Sequence, residues 1–198
     1  MDRQSTDDSF DDYFDYLSSG SVQGRLYRRW VLFPRLKRHL SGRLLDMGCG
    51  IGGFVAHYGD MASGIDINPA TVAHCQKNGL DVHLYKRFPV DFPDHSFDSL
   101  ILDNVLEHIH DPTDILAEAR RLIKPDGVFL IGVPGRKGFD SAPDHVVFYD
   151  EEKLEMTLRD AGFEQQKRFY TPFKSDILDR KLSAYCLFGV FKPLQNSQ

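Results

Sequence analysis

Cysteine is scarce in this chain. Cys49, Cys75 and Cys186 are an odd, scattered set with no CxxC pair, which argues against a disulfide framework or a cysteine zinc site and suits a reducing compartment. Long apolar runs are missing as well. The longest candidates are VFLIGV at 128–133 and AYCLFGVF at 184–191, far below the roughly 18 apolar residues of a membrane span. Basic excess is absent: the net charge is −5, which argues against a general nucleic-acid coat, because counterion-release binding needs a basic surface. The first residues, MDRQSTDDSFDDYFDY, carry six aspartates and no apolar core, unlike a secretory signal. The expectation is a cytoplasmic protein.

What is present is ordinary globular material, 41% hydrophobic and 27% charged over 198 residues, enough for one well-packed domain. Charge is distributed unevenly. After the acidic stretch 1–16 there is no acid from Leu17 to Arg43, but seven bases: Arg25, Arg28, Arg29, Arg35, Lys37, Arg38 and Arg43. Leu26, Trp30 and Phe33, then Leu36 and Leu40 after Pro34, recur at helical spacing and predict two short amphipathic helices. Residues 1–40 therefore read as an acidic tail plus a helical cap, ahead of one main domain over 41–198. The basic segment is either a solvated face over an apolar stripe or a lid offering cations to an anionic acceptor.

From Gly42 onward, apolar runs alternate with helical stretches. RLLDMG, SGIDI, DVHLYK, SFDSLILDN and GVFLIGVP read as strands. Between them IGGFVAHYG, the stretch from Pro69 to Asn78, and DPTDILAEARRLI read as helices, the last with Asp111 as cap and Pro112 at its first position. EEKLEMTLRDAG adds a helix, and FEQQKRFY and AYCLFGVF supply two closing strands around a short helix near 175–182. The expected fold is α/β, a doubly wound, seven-stranded, mostly parallel sheet with one antiparallel strand near the C-terminus.

In such a sheet, ligands bind beyond the carboxyl ends of the strands. The first tip, Asp46-Met47-Gly48-Cys49-Gly50-Ile51-Gly52-Gly53, holds glycines that let the backbone approach a ligand and leads into a helix N-terminus. Gly48, Gly50 and Gly53 satisfy G-x-G-x-x-G, the dinucleotide fingerprint. Asp46 weighs against that reading, since its charge would face a pyrophosphate but suit an ammonium or sulfonium ligand. Asp66 ends the second strand where an acid can accept from a ribose diol, which NAD and S-adenosylmethionine share.

LLDMGCGIGGF, GIDINP, FPDHSFDSLILDNVLEHI and LIKPDGVFLIGVP, in this order and spacing, resemble successive motifs of the class I S-adenosylmethionine-dependent methyltransferases over roughly residues 42–165. The resemblance implies S-adenosylmethionine as donor and S-adenosylhomocysteine as product. It implies that Asp46 and the backbone of Gly48, Cys49 and Gly50 hold the methionine part, that Asp66 binds the ribose hydroxyls, and that Ile67 packs on the adenine. Asp103 and Asn104 would line the methionine and sulfonium. The third tip departs from the family, which often has an acid where this chain has Lys86-Arg87-Phe88. A lysine cannot accept the adenine amino group, which leaves backbone near Arg87 and the ring of Phe88.

The methyl acceptor is expected to be a small molecule or a glycan or lipid precursor, methylated on O or N. A protein or RNA target docked by the basic 25–43 segment, and a non-catalytic nucleotide-binding protein, are the alternatives. If the acceptor is a hydroxyl, a base must take its proton. His108, after the fourth strand, and His145, in the long 135–149 loop, are the candidates. Each has a plain alternative as a structural histidine bonding backbone. Glu107 reads as a residue that caps or packs a helix start. No His/Asp/Glu spacing resembles a dedicated metal site.

Overall fold

The computed structural model describes residues 21–195; the acidic stretch 1–16 lies outside them. The basic segment forms one unbroken helical run: α1 (Val22–Tyr27), a π-helical turn (Arg28–Leu32) and α2 (Phe33–Lys37). Ser21 starts it, its Oγ accepting from Gly24 N at 3.0 Å. Two helices were expected, the second opened by Pro34, and Pro34 does stand in the first turn of α2. What was not expected is the join: a wider turn, closed by Phe33 N donating to Arg28 O, links the two helices without a break.

The remaining order is β1 (Leu44–Met47), α3 (Gly53–Tyr58), β2 (Ala62–Asp66), α4 (Pro69–Lys77), β3 (Val82–Leu84), β4 (Phe97–Asp103), a 3-10 turn (Leu106–His108), α5 (Thr113–Leu122), β5 (Ile123–Pro134), α6 (Arg136–Phe139), α7 (Glu151–Asp160), β6 (Phe163–Thr171), α8 (Asp176–Lys181) and β7 (Cys186–Pro193). The strands lie in the order β3-β2-β1-β4-β5-β7-β6 in one seven-stranded sheet. Strands β1 to β6 all run in one direction, and β7 inserts antiparallel between β5 and β6, as expected for two closing strands joined by a short connection. At α5 the cap differs from expectation. The helix begins at Thr113 with Pro112 before it, while the Asp111 carboxylate accepts from Thr113 N at 3.0 Å.

Each face of the sheet has its own core. Leu100, Leu102, Phe129, Ile131 and Val133 pack with Ile115, Leu116, Leu154 and Leu158 of α5 and α7. Leu44, Ile101 and Leu130, one residue out of phase, pack on the opposite face with Leu32, Phe33 and Leu36 of the N-terminal helix and with Phe54 and Val72 of α3 and α4. The two-residue period of a strand sends alternate side chains to opposite faces. Leu36, fully buried, anchors the N-terminal helix to the second core. Burial of such a side chain is worth about 1.5–3 kcal/mol.

Candidate active site

The chain reverses direction across the sheet between β1 and β4, the strands that meet at its switch point, where a crevice opens. Asp46 of β1 pairs with Ile101 of β4, so Asp103, two residues on, points to the same face as Asp46. That face lies under the N-terminal helix. Asp103 accepts from Arg28 Nη2 at 3.0 Å through Oδ2 and from Asn104 Nδ2 at 2.9 Å through Oδ1. On the neighbouring strand stands Gly132. A Cβ there would lie 2.6 Å from Asp103 Oδ1 and 2.4 Å from the Phe188 ring, so only glycine leaves room for the carboxylate.

The glycine turn follows Met47. Gly48 has φ +81, and a Cβ on it would lie 2.6 Å from Val105 Cγ2; both conditions demand glycine. The turn is tied to β2. Gly48 N and Cys49 N donate to Ile65 O at 2.8 and 3.1 Å, and Gly50 N donates to Asp66 Oδ2 at 2.8 Å. The other carboxylate oxygen of Asp66 accepts from Asn68 N at 2.8 Å. Three N–H groups that the sequence offered to a ligand are therefore engaged by the protein itself. What faces the crevice instead is two carboxylates, Asp46 near the end of β1, 5% exposed, and Asp103 at the end of β4, its side chain 9% exposed.

Those carboxylates suit a cation. Burial pushes Asp46 up to about 8, the charge of Asp103 adds to the rise, and Arg28 opposes it. Burial also raises Asp103, against the pull of Arg28 and Asn104. An ammonium or sulfonium group placed between the two acids would favour their ionised forms, while Arg25, Arg28 and Arg29 stand on the same cavity wall. The cavity in front of them measures about 840 Å³ and is lined by Gly24, Arg25, Arg28, Phe33, Asp46 and Asp103 among others, room enough for a nucleoside-sized ligand.

Of the residues singled out in the sequence, Asp46, Gly48, Cys49, Gly50, Asp103 and Asn104 line this cavity. Asp66 sits behind the turn, 6% exposed, and Ile67 is exposed beside it. Arg87 lines a smaller cavity of about 340 Å³ with Tyr85 and Phe92, while the Phe88 ring stacks on Tyr85 at 5.0 Å. The loop carrying them is held by α5. Glu118 accepts from Val90 N at 2.8 Å and from Arg121, whose guanidinium also reaches Phe92 O and Asp94. The Cys49 thiol is pushed up by hydrogen bonding with Cys75 and by burial, which leaves no thiolate for a nucleophilic role.

His108 and His145, far apart in sequence, meet with ring centroids 4.7 Å apart. The loop is brought there by Val146 N and Val147 N, which donate to Glu107 O at 2.7 and 3.0 Å. His145 Nδ1 bonds Phe139 O at 2.9 Å, the backbone bond of the plain structural reading. His108 Nδ1 lies 3.1 Å from Asp144 Oδ2, and burial lowers its pKa. Glu107 caps nothing. Its carboxylate is buried, neither oxygen has a hydrogen-bond partner, and burial pushes it up to about 8. Sequence reasoning missed the pairing role of Arg28, legible only as one base in an acid-free run, and the isolation of Glu107, which left no signal.

The Methyltransferase domain family matches residues 45–131 of the chain. An uncharacterized protein of Methanocaldococcus jannaschii is 31% identical over 152 residues, covering 70% of this chain and 73% of that protein. A probable S-adenosylmethionine-dependent methyltransferase of Mycolicibacterium smegmatis is 31% identical over 149 residues, covering 69% of this chain; the chain spans only 58% of that relative's length. Among solved structures, the complex of the Haloferax volcanii Trm112 methyltransferase activator with a methyltransferase contains a similar fold, with TM-score 0.72 and 18% identity over 94% of this chain and 98% of that one. These matches decide against the dinucleotide reading: the chain belongs to the class I S-adenosylmethionine-dependent methyltransferases, with S-adenosylmethionine as its methyl donor.

Proposed function

We propose that the chain methylates an oxygen or nitrogen of a small-molecule, glycan or lipid-precursor acceptor, and that the acceptor lies toward His108 and His145. When bound, S-adenosylmethionine supplies an electrophilic methyl on a sulfonium sulfur. The single observation that carries the donor half is a pair of carboxylates, buried Asp46 and Asp103, its side chain 9% exposed, facing one cavity under the N-terminal helix. Asp46 holds the donor's ammonium group, Asp103 balances charge beside it, and Asp66 fixes the turn while offering its remaining lone pairs to the ribose diol. The segment 22–40 is the cap: Arg28 and Phe33 reach the cavity wall and keep water from it, which strengthens the electrostatics inside.

On the acceptor side, a neutral imidazole is the group that takes a hydroxyl proton. His145 is held by Phe139 O through Nδ1, which leaves Nε2 as the basic atom. The test is His145→Ala: turnover falls, while donor affinity by calorimetry stays within about 0.5 kcal/mol. An equal loss of both would assign His145 to folding instead.

A second reading has its own observation. The N-terminal helix exposes Val22, Leu26, Trp30 and Val31, with Trp30 at 69%, beside Arg25 and Arg29. An apolar and basic face of this kind suits a docked macromolecule, and the Haloferax volcanii neighbour is found with a protein activator. A screen of radiolabelled methyl transfer into lipid, glycan, protein and RNA fractions separates the readings. Label in protein or RNA alone would replace the small-molecule acceptor. Label nowhere, with the donor bound, would support a non-catalytic binding protein.

A further inference from the structure

We propose that Glu107, His108 and His145 form a binding site for one divalent first-row transition ion, of the zinc or cobalt class. One ligand atom from each of the three lies within 4.8 Å of the other two, the spacing of groups arranged around a common point. Glu107 Oε1 and His145 Nε2 are 4.0 Å apart, too far for a hydrogen bond and close enough for an ion between them.

Two further observations point to a cation. The first is the state of Glu107. Its carboxylate is 1% exposed and neither oxygen has a hydrogen-bond partner, an arrangement that costs free energy unless something else satisfies it. The second is the orientation of the two imidazoles. His145 Nδ1 faces Phe139 O, and His108 Nδ1 faces the backbone and side-chain oxygens of Asp144. Each neighbour is an acceptor only, so the proton of a neutral ring sits on Nδ1 and the lone pair on Nε2. Metal-ligating histidines are held in this way, one nitrogen bonded to a carbonyl or carboxylate so that the other is fixed toward the ion. Two imidazoles and one carboxylate suit borderline transition ions, and three protein ligands leave coordination positions open.

The inference goes beyond the base role given to His145 above, which belongs to the ion-free site: with an ion bound, the Nε2 lone pair of His145 is a ligand and the imidazole no longer serves as base. It stands whether or not the acceptor is a small molecule. The sequence hid the site, since Glu107 and His108 are adjacent while His145 arrives from a distant loop.

The experiment is a cobalt titration of the full chain after chelator treatment, followed by visible absorption, with zinc as competitor. One Co²⁺ per chain, with d–d bands displaced by zinc, is expected. His108→Ala, His145→Ala and Glu107→Gln should each weaken binding at least about tenfold, with S-adenosylmethionine affinity retained as the check of folding. For a variant that loses donor affinity as well, zinc anomalous scattering from crystals of the unaltered protein decides, by placing the ion among the three side chains or elsewhere. Absence of saturable cobalt and zinc binding, or affinity unchanged in all three variants, overturns the proposal.

Discussion

Arg28 Nη2 stands 3.0 Å from Asp103 Oδ2, and this one contact ties a helix turn near the start of the chain to the tip of the fourth strand. The guanidinium side is half exposed and the carboxylate side is 9% exposed. The pair therefore sits between a surface salt bridge of little worth and a buried one that is costly to break.

Arg28→Met should loosen the N-terminal helix without unfolding the sheet. A charge-assisted bond discounted for the exposure of Arg28 is worth about 1 kcal/mol, so amide hydrogen exchange across 22–37 should quicken about fivefold. Amides of β1 and β4 should exchange as before. Unchanged exchange in the helix would show that Leu32 and Leu36 alone hold it.

Asp46→Asn should stabilise the donor-free protein and impair its binding. Asp46 keeps its proton to about pH 8 in the fold, while an unfolded chain releases it near pH 4. The unfolded state thus binds fewer protons between those values, so this group makes stability fall as pH rises from 4 to 8. The asparagine variant lacks that slope. Its melting temperature should exceed the parent's by about 2–4 °C or more at pH 8, with little difference at pH 4. Donor affinity of the parent should climb from pH 6 to 8 as Asp46 ionises, by no more than about tenfold per pH unit.

Asp66→Ala should cost about 1.5–3 kcal/mol of donor binding. The structure gives this prediction a second source, because the carboxylate also holds Gly50 N and Asn68 N. Calorimetry with S-adenosylmethionine measures it, with NAD as the comparison. Undiminished affinity would remove Asp66 from the site.

Arg121→Met should destabilise the fold by about 3 kcal/mol, because it leaves Glu118, 4% exposed, without its cation. Denaturant unfolding checks this. Glu118→Gln in the same background should recover part of the loss, since the stranded charge is what costs most.

Much of the fold was legible in local pattern. Alternation of apolar runs with helices predicts strands covered on both faces, because a buried parallel strand has no solvent side to be polar on. The helix read from Pro69 to Asn78 stands as α4, because a proline opening acts within one turn of chain; the cap, Asn68 Oδ1 accepting from Ala70 N and Thr71 N, was supplied by the structure. Pro34 reads as the opening of a second helix, where a missing N–H costs nothing, and it stands in the first turn of α2. Leu32, Phe33 and Leu36 pack in the second core, and the π turn that joins the two helices lies just ahead of the proline, a join that local pattern does not record.

The sequence by itself determined the sheet, the family and the identity of the first carboxylate, since these rest on residues adjacent in the chain. Only the tertiary structure decided what those residues face. It spent the amides of Gly48, Cys49 and Gly50 on β2, laid Arg28 on Asp103, and brought His145 to Glu107 and His108. Contacts between residues far apart in sequence depend on how strands register and where loops land, and periodicity along a chain carries no record of either.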